Sequence, residues 1–273
     1  MVDVSQCKIG FIGFGNMASA MADGWIASGA VPAGNLYACA GRYEALVPRC
    51  GARGMHALAG AAEVVDAADV VVIAIKPYMI ESVLPPLAGA LASKAVLSVA
   101  AGWGCDRYEE LLPGTHHLST VPNTPVSINE GVIACEKEHT LDDAEAELVH
   151  GLLELLGSVV QVESRLLSVA GTVGGCSPAF IAMVIEALGD AAVKHGIPRH
   201  GLPDGEPDGG GYGKAAACYG CASRRHERCG LLARRHHHPR RRGARGGGHA
   251  LGVHPRYRCY RGIASLHIQR SLQ

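Results

Sequence analysis

Short apolar runs alternate with helical patterns over the first half of the chain. Residues 7–30 (CKIGFIGFGNMASAMADGWIASGA) predict a strand that runs through a glycine turn into a helix with a 3.6-residue period. Strands two to four are predicted at 35–41, 69–77 and 95–102, and residues 116–125 form strand five with its loop. Residues 78–91 form one of the helical stretches between the strands. This alternation is typical of an α/β fold with a Rossmann-type, doubly wound parallel sheet, in which ligands bind at the carboxyl ends of the strands.

The first turn has the pattern of a dinucleotide-binding loop. Gly13 and Gly15 allow a tight turn and a close approach of the backbone to a pyrophosphate, and Ala18 is the small residue where helix and strand pack closely. The backbone N–H groups after Gly15 would then point towards the anion, assisted by the helix dipole. The pattern predicts nucleotide binding; a purely structural turn is the alternative.

The end of strand two bears on the choice of cofactor. It lacks the Asp or Glu that binds the ribose hydroxyls of NAD, and the sequence CAGR instead places Arg42 where a 2′-phosphate would lie. We therefore expect NADPH to be preferred over NADH. The alternative is that Arg42 is a solvated residue at the start of a helix.

Composition divides the chain near His200. Residues 201–273 contain 14 Lys and Arg against 4 Asp and Glu, although the formal net charge of the whole chain is zero. Leu, Ile, Val, Phe and Met make up only 9 of these last 73 residues, which is too few for a packed core. We therefore predict a globular piece that ends near residue 200 and a disordered tail.

Two further features bear on location. No apolar run reaches the roughly 18 residues that a membrane span requires. The first residues, MVDVSQCKIGFIG, lack the basic segment that precedes a signal-peptide core. We expect a cytoplasmic enzyme with no membrane partner.

Five motifs, in their order and spacing, closely resemble pyrroline-5-carboxylate reductase: IGFIGFGNMASAM, AIKP, SVAAG, VPNTP and CSPAFIAMVIEALGDAAVKHGIPR. The resemblance covers about residues 7–200. It implies hydride transfer from NAD(P)H to the imine carbon of 1-pyrroline-5-carboxylate, which gives L-proline in the last step of proline biosynthesis. It also implies an all-α domain that forms a homodimer or a larger oligomer. The expected domains are an NADP-binding domain over 1–162, an incomplete dimerisation domain over 163–200 and the tail over 201–273.

The resemblance also implies a set of residues that bind the cofactor. Lys76, which precedes Pro77, has an alternative interpretation as an ordinary strand end, and Asn123, placed beside the nicotinamide by the resemblance, has one as a turn residue. No catalytic acid is named and no metal site is expected. The cofactor-binding residues are Ile12, Gly13, Phe14, Gly15, Asn16, Met17, Ala40, Gly41, Arg42, Ile75, Lys76, Pro77, Ala101 and Asn123.

The chain departs from the family pattern in several places. Residues 174–177 (GGCS) stand where the family has Ser-Gly-Ser-Gly, and Val121 replaces a Met. Ala40 and Gly41 replace small polar residues, which weakens the expected phosphate contact. The Ser-Pro-Gly-Gly-Thr-Thr segment that holds the substrate in the family is absent.

A change of reading frame accounts for that absence. Residues 231–248 read LLARRHHHPRRRGARGGG. Read one base later, the codons of His236, His237 and His238 each encode Thr or Ile, and those of the preceding GLLARR permit V-C-S-P-A-G. The shifted frame thus permits V-C-S-P-A-G-T-T-I, which resembles the missing substrate segment. We predict a single frameshift near codons 199–201, which a different codon choice in the gene would refute.

Other functions are less well supported by the sequence. The tail contains Cys218, Cys221, His226 and Cys229 at a spacing that resembles zinc ligands, and an arginine run that would bind nucleic acid weakly. If the tail is read out of frame, neither feature was selected for metal or nucleic-acid binding. A non-catalytic NADP-binding remnant is the second hypothesis. Another imine reductase or a reductase of the β-hydroxyacid type is the third, disfavoured because Lys194 lies near the far end of its helix.

Overall fold

Short apolar runs form the centre of an eight-stranded sheet. The computed structural model describes residues 3–198, and the strand order is β3-β2-β1-β4-β5-β6-β7-β8. β1, β4 and β5 are buried along their whole length, as expected of parallel strands covered on both faces by helices. The strands are β1 (Ile9–Ile12), β2 (Leu36–Cys39), β3 (His56–Ala57), β4 (Val70–Ile73), β5 (Ala95–Ser98), β6 (His116–Pro122), β7 (Gly131–Glu136) and β8 (Gly157–Val162).

Helices connect most of the strands, and 3-10 turns occur at Ala33–Asn35, Pro85–Leu87 and Thr124–Ile128. The start of the seventh helix is fixed by a capping box between Asp142 and Glu145. The helices are α1 (Asn16–Ser28), α2 (Tyr43–Gly51), α3 (Ala61–Ala67), α4 (Pro77–Val83), α5 (Ala88–Leu91), α6 (Cys105–Leu111), α7 (Asp143–Glu154) and α8 (Ser164–Lys194).

Two apolar layers hold the helices against the sheet. In the first, Trp25 of α1 packs against Phe11 of β1, and its indole N–H donates to the Leu152 carbonyl of α7 at 2.8 Å. In the second, Val64 of α3 and Ile80 of α4 pack on the opposite face. Because α1 and α4 follow neighbouring strands but cover opposite faces, the sheet is doubly wound, as predicted.

The structure corrects several details of the predicted element order. The predicted third strand is the fourth in the chain, because the two-residue β3 precedes it. β7 and β8 were not predicted; β7 runs antiparallel to β6 and parallel to β8. The helix predicted at 78–91 is broken into α4, a 3-10 turn and α5, because Pro85 and Pro86 cannot donate backbone hydrogen bonds.

The last described helix, α8, is 31 residues long and contains Pro178. It has the length and composition of a membrane-spanning helix, which is weak evidence for a membrane because helices of soluble proteins meet the same test. Phe180, Met183, Val184 and Leu188 are each 56–67% exposed. The predictions made for residues 201–273, including the disordered tail, fall outside the described residues.

One histidine is completely buried in a polar layer beneath α6. The Nδ1 atom of His117 lies 3.1 Å from the Thr140 hydroxyl, and its Nε2 atom lies 3.6 Å from the Cys105 sulfur. Burial lowers the pKa of His117, although the nearby carboxylates of Glu109 and Glu136 act in the opposite direction. The folded protein therefore resists protonation of this imidazole more than the unfolded chain does.

The depressed pKa of His117 predicts a loss of stability in mild acid. Below the ordinary histidine pKa of about 6.5, the unfolded chain gains a proton that the folded chain resists. The free energy of unfolding should therefore be highest above about pH 6.5 and fall as the pH decreases, by at most about 1.4 kcal/mol per pH unit from this group. Urea unfolding between about pH 7.5 and about pH 5 measures the slope.

His117→Gln removes the titrating group and should flatten this part of the curve. His139→Gln is the control, because it removes an exposed histidine and leaves the buried one in place. Equal pH slopes for wild type and His117→Gln would contradict the prediction.

Candidate cofactor site

The predicted site lies where the direction of winding reverses. β1 and β4 are parallel neighbours, and the chain leaves them towards opposite faces of the sheet. Such a reversal leaves a crevice outside the carboxyl ends of the two strands. The glycine loop 13–15 follows β1, and residues 74–77 follow β4. The structure therefore brings together two of the predicted groups, Ile12–Met17 and Ile75–Pro77.

Gly13 is fixed between the two neighbouring strands. Its φ of +94° lies in the left-handed region that favours glycine, and a Cβ there would come within 2.7 Å of the Ala74 carbonyl oxygen. The Gly13 N–H donates to the Cys39 carbonyl at 3.0 Å, and the Ala74 N–H donates to the Ile12 carbonyl at 2.9 Å. These bonds hold the start of the loop against the ends of β2 and β4.

Gly15 leaves open space above the N-terminus of α1. It is exposed, its backbone is extended, and a Cβ at this position would meet nothing within 4 Å. The first turn of α1 contains no acidic side chain, so no carboxylate there compensates the positive end of the helix dipole. A pyrophosphate fits this arrangement, because the helix supplies backbone donors and the missing side chain supplies room.

Two exposed cations lie at the margins of the crevice. Arg42 precedes α2, just beyond the end of β2, and Lys76 precedes α4, just beyond the end of β4. Among residues 3–198, neither side chain forms an ion pair or a side-chain hydrogen bond, so both charges are available to a phosphate. Of the other predicted contacts, Ala40 is half-buried, while Gly41 and Ala101 are exposed.

Asn123 has a structural role that its sequence context only partly indicated. It is buried at the end of β6, where its Oδ1 atom accepts from the Val132 N–H at 2.9 Å and its Nδ2 atom donates to the Gly174 carbonyl at 3.2 Å. The side chain thus joins β7 and α8 to the end of β6. Its position beside the nicotinamide stays a prediction.

Sequence reasoning missed Arg49, which lies on α2 and contacts the glycine loop. One guanidinium nitrogen donates to the Phe14 carbonyl at 2.8 Å and the other terminal nitrogen to the Ser19 hydroxyl at 2.7 Å. The guanidinium also lies 5.1 Å from the centroid of the Phe14 ring. No glycine pattern or strand end marks this residue in the sequence.

A second polar cluster lies at the start of α7. One ligand atom from each of His116, Asp142 and Glu145 lies within 4.8 Å of the others, close enough to surround a metal ion. The capping box and a 2.7 Å contact between the His116 ring and the Glu145 carboxylate already account for this proximity.

Gly15→Ala should weaken NADPH binding without weakening the fold. The added methyl group contacts no protein atom but enters the space proposed for the pyrophosphate, so we expect a loss of at least roughly tenfold in affinity, measured by NADPH fluorescence. The thermal midpoint should stay within a few degrees of wild type.

Gly60→Ala is the matched control for this substitution. Gly60 also precedes a helix, has an extended backbone and has open space at its Cβ, but it follows β3, which is two strands from β1 in the sheet. An equal loss of NADPH affinity in both variants, or none in Gly15→Ala, would contradict the assignment of the loop.

Comparisons with known proteins agree with this geometry. Residues 8–102 match the family model described as NADP oxidoreductase coenzyme F420-dependent, and residues 164–201 match the pyrroline-5-carboxylate reductase dimerisation model. The pyrroline-5-carboxylate reductase of Treponema pallidum is 38% identical over 197 residues, which cover 70% of this chain and 74% of that protein. That of Methanosarcina acetivorans is 36% identical, with 70% and 72% covered.

The fold is also similar to solved structures. The pyrroline carboxylate reductase of Plasmodium falciparum, solved with NADP bound, aligns with a TM-score of 0.66 at 22% identity and covers 86% of this chain and 81% of that one. At this identity the likeness shows the fold alone.

Proposed function

Because this chain belongs to the pyrroline-5-carboxylate reductase family, we propose that it reduces 1-pyrroline-5-carboxylate to L-proline with NADPH as the hydride donor. The observation that carries the proposal is the open space above Gly15, at the N-terminus of α1 and in the crevice between β1 and β4. An anion-binding loop at this point of a doubly wound sheet is the arrangement that a dinucleotide requires.

The residues of the crevice divide the binding between them. The backbone of Gly13–Met17 would hold the pyrophosphate, and Arg42 would hold the 2′-phosphate. Lys76 and Ala101 would contact the cofactor from the edges of the crevice. When bound, NADPH supplies a hydride from its nicotinamide ring to the imine carbon of the substrate. The ring nitrogen carries its proton already when the substrate is in the iminium form, so no residue among 3–198 is assigned as a catalytic acid.

A second candidate function is that of an NADP-binding protein without turnover. It is favoured by the end of the family match at residue 201 and by the missing Ser-Pro-Gly-Gly-Thr-Thr segment. The full chain should be assayed for NADPH binding and for NADPH oxidation that depends on 1-pyrroline-5-carboxylate. Turnover supports the reductase, binding without turnover supports the second candidate, and absence of binding contradicts both.

The DNA sequence over codons 190–240 separates two explanations of that missing segment. A gene that differs by one inserted or deleted base from the codons of the present sequence would encode the intact substrate loop. A frameshift confirmed in the gene would mean that the cell makes the chain without it.

Arg42 should give NADPH its advantage over NADH. A guanidinium that contacts a 2′-phosphate makes a charge-assisted hydrogen bond, which the 2′-hydroxyl of NADH cannot match. Wild type should therefore bind NADPH roughly tenfold or more tightly than NADH, and Arg42→Gln should remove most of the difference while leaving NADH affinity unchanged. Equal affinities of wild type for the two cofactors would contradict this assignment.

We further propose that a second copy of the chain covers the exposed apolar face of α8. Residues 164–201 match a dimerisation model, and the face contains Phe180, Met183 and Leu188. Light scattering should show a dimer or larger assembly, and Met183→Glu with Leu188→Glu should shift it to monomer because the buried charges would lack partners.

Val47→Glu is the control, since Val47 is an exposed apolar residue on α2. A monomeric wild type, or equal association in both variants, would contradict an α8 interface.

A further inference from the structure

We infer that Arg49 is a positioning residue for the phosphate-binding loop, and that it acts by fixing the orientation of the peptide groups on either side of Gly15. The inference rests on the proposed function of the loop. It depends on four groups: the Arg49 guanidinium, the Ser19 hydroxyl and the carbonyls of Phe14 and Gly15.

Arg49 reaches both carbonyls, one directly and one through a hydroxyl. Its guanidinium donates to the Phe14 carbonyl at 2.8 Å. Its other terminal nitrogen donates to the Ser19 hydroxyl at 2.7 Å, and that hydroxyl in turn donates to the Gly15 carbonyl at 2.8 Å. The Gly15 carbonyl also accepts from the Ser19 N–H of α1 at 3.0 Å, so the hydroxyl adds a second contact to this acceptor. Two neighbouring peptide groups are therefore tied to one planar cation on α2.

The orientation of a carbonyl determines the orientation of the next N–H. In a planar trans peptide the two groups point in opposite directions, so a fixed Phe14 carbonyl fixes the Gly15 N–H, and a fixed Gly15 carbonyl fixes the Asn16 N–H. These two N–H groups belong to the loop proposed to face the pyrophosphate. Without Arg49, the Phe14–Gly15 peptide would lose its charged partner. Because glycine restricts the backbone little, this peptide group could then rotate easily.

Neighbouring residues provide a sharp control. Arg53, one turn further along, pairs with Asp23 through two nitrogens at 2.6 and 2.9 Å and also lies near the Phe14 ring, at 5.9 Å. Its third contact is the Arg49 carbonyl at 3.1 Å, so no carbonyl of the loop depends on it directly. Arg53→Gln thus removes a comparable cation and a comparable set of stabilising contacts.

The experiment measures the dissociation constants of NADPH and NADH for the full chain. Arg49→Gln should weaken both cofactors by the same factor, roughly tenfold, because the pyrophosphate is common to them. Arg49→Lys should recover part of the loss, since an ammonium can contact one of the two acceptors but lacks the planar fork. Ser19→Ala should weaken both cofactors less, and the double variant should show a smaller effect than the two single effects combined.

The wild-type result tests the proposed function, and the variants test the inference. A wild-type chain that binds neither cofactor contradicts the proposed function and, with it, the inference. A wild-type chain that binds NADPH together with an Arg49→Gln variant of unchanged affinity overturns the inference alone. Loss confined to NADPH would also overturn it, because Arg49 would then contact the 2′-phosphate. An equal loss in Arg53→Gln would reduce Arg49 to a stabilising residue.

Discussion

The glycine loop depends on the hydrogen bonds that hold its first residue between two strands. Gly13 donates to the end of β2, while the residue after β4 donates to the end of β1, so the loop begins where three strand ends meet. The left-handed backbone at Gly13 then turns the chain from the end of β1 towards the start of α1. The positions of Gly15, the helix N-terminus and the Arg49 contacts all follow from this turn. A side chain at residue 13 would collide with the Ala74 carbonyl and displace the loop as a whole.

The sequence was sufficient to predict the parts of the site that depend on local pattern. β1, β4 and β5 are continuous apolar runs that end in turn residues, so their carboxyl ends, and the residues that follow them, are identifiable without coordinates. That β1 and β4 are neighbours follows from the usual winding of such a sheet. The assignment of Arg42 came from the absence of an acidic residue after β2. The family is shown by the comparisons, whereas the individual cofactor contacts remain predictions.

Other features depend on long-range packing that no local pattern marks. β3 has only two residues. β7 joins the sheet antiparallel to β6, and β8 then pairs parallel to β7 at the edge. The alternation of strand and helix gave no signal for either. Arg49 is one of two charged residues on α2, with Glu44, and only the coordinates show that it reaches the Phe14 carbonyl. The sequence places Asn123 beside the nicotinamide or in a turn, whereas its bonds to β7 and α8, which join segments distant in sequence, appear only in the coordinates.

The central claim is that the loop from Gly13 to Met17 binds the cofactor through its backbone N–H groups. Hydrogen–deuterium exchange of the full chain, with and without NADPH, tests this claim directly. The account predicts that amides of residues 13–19 exchange more slowly in the presence of NADPH, with smaller protection near Arg42 and Lys76. Unchanged exchange in this loop at saturating NADPH, or protection confined to a different part of the sheet, would contradict the account.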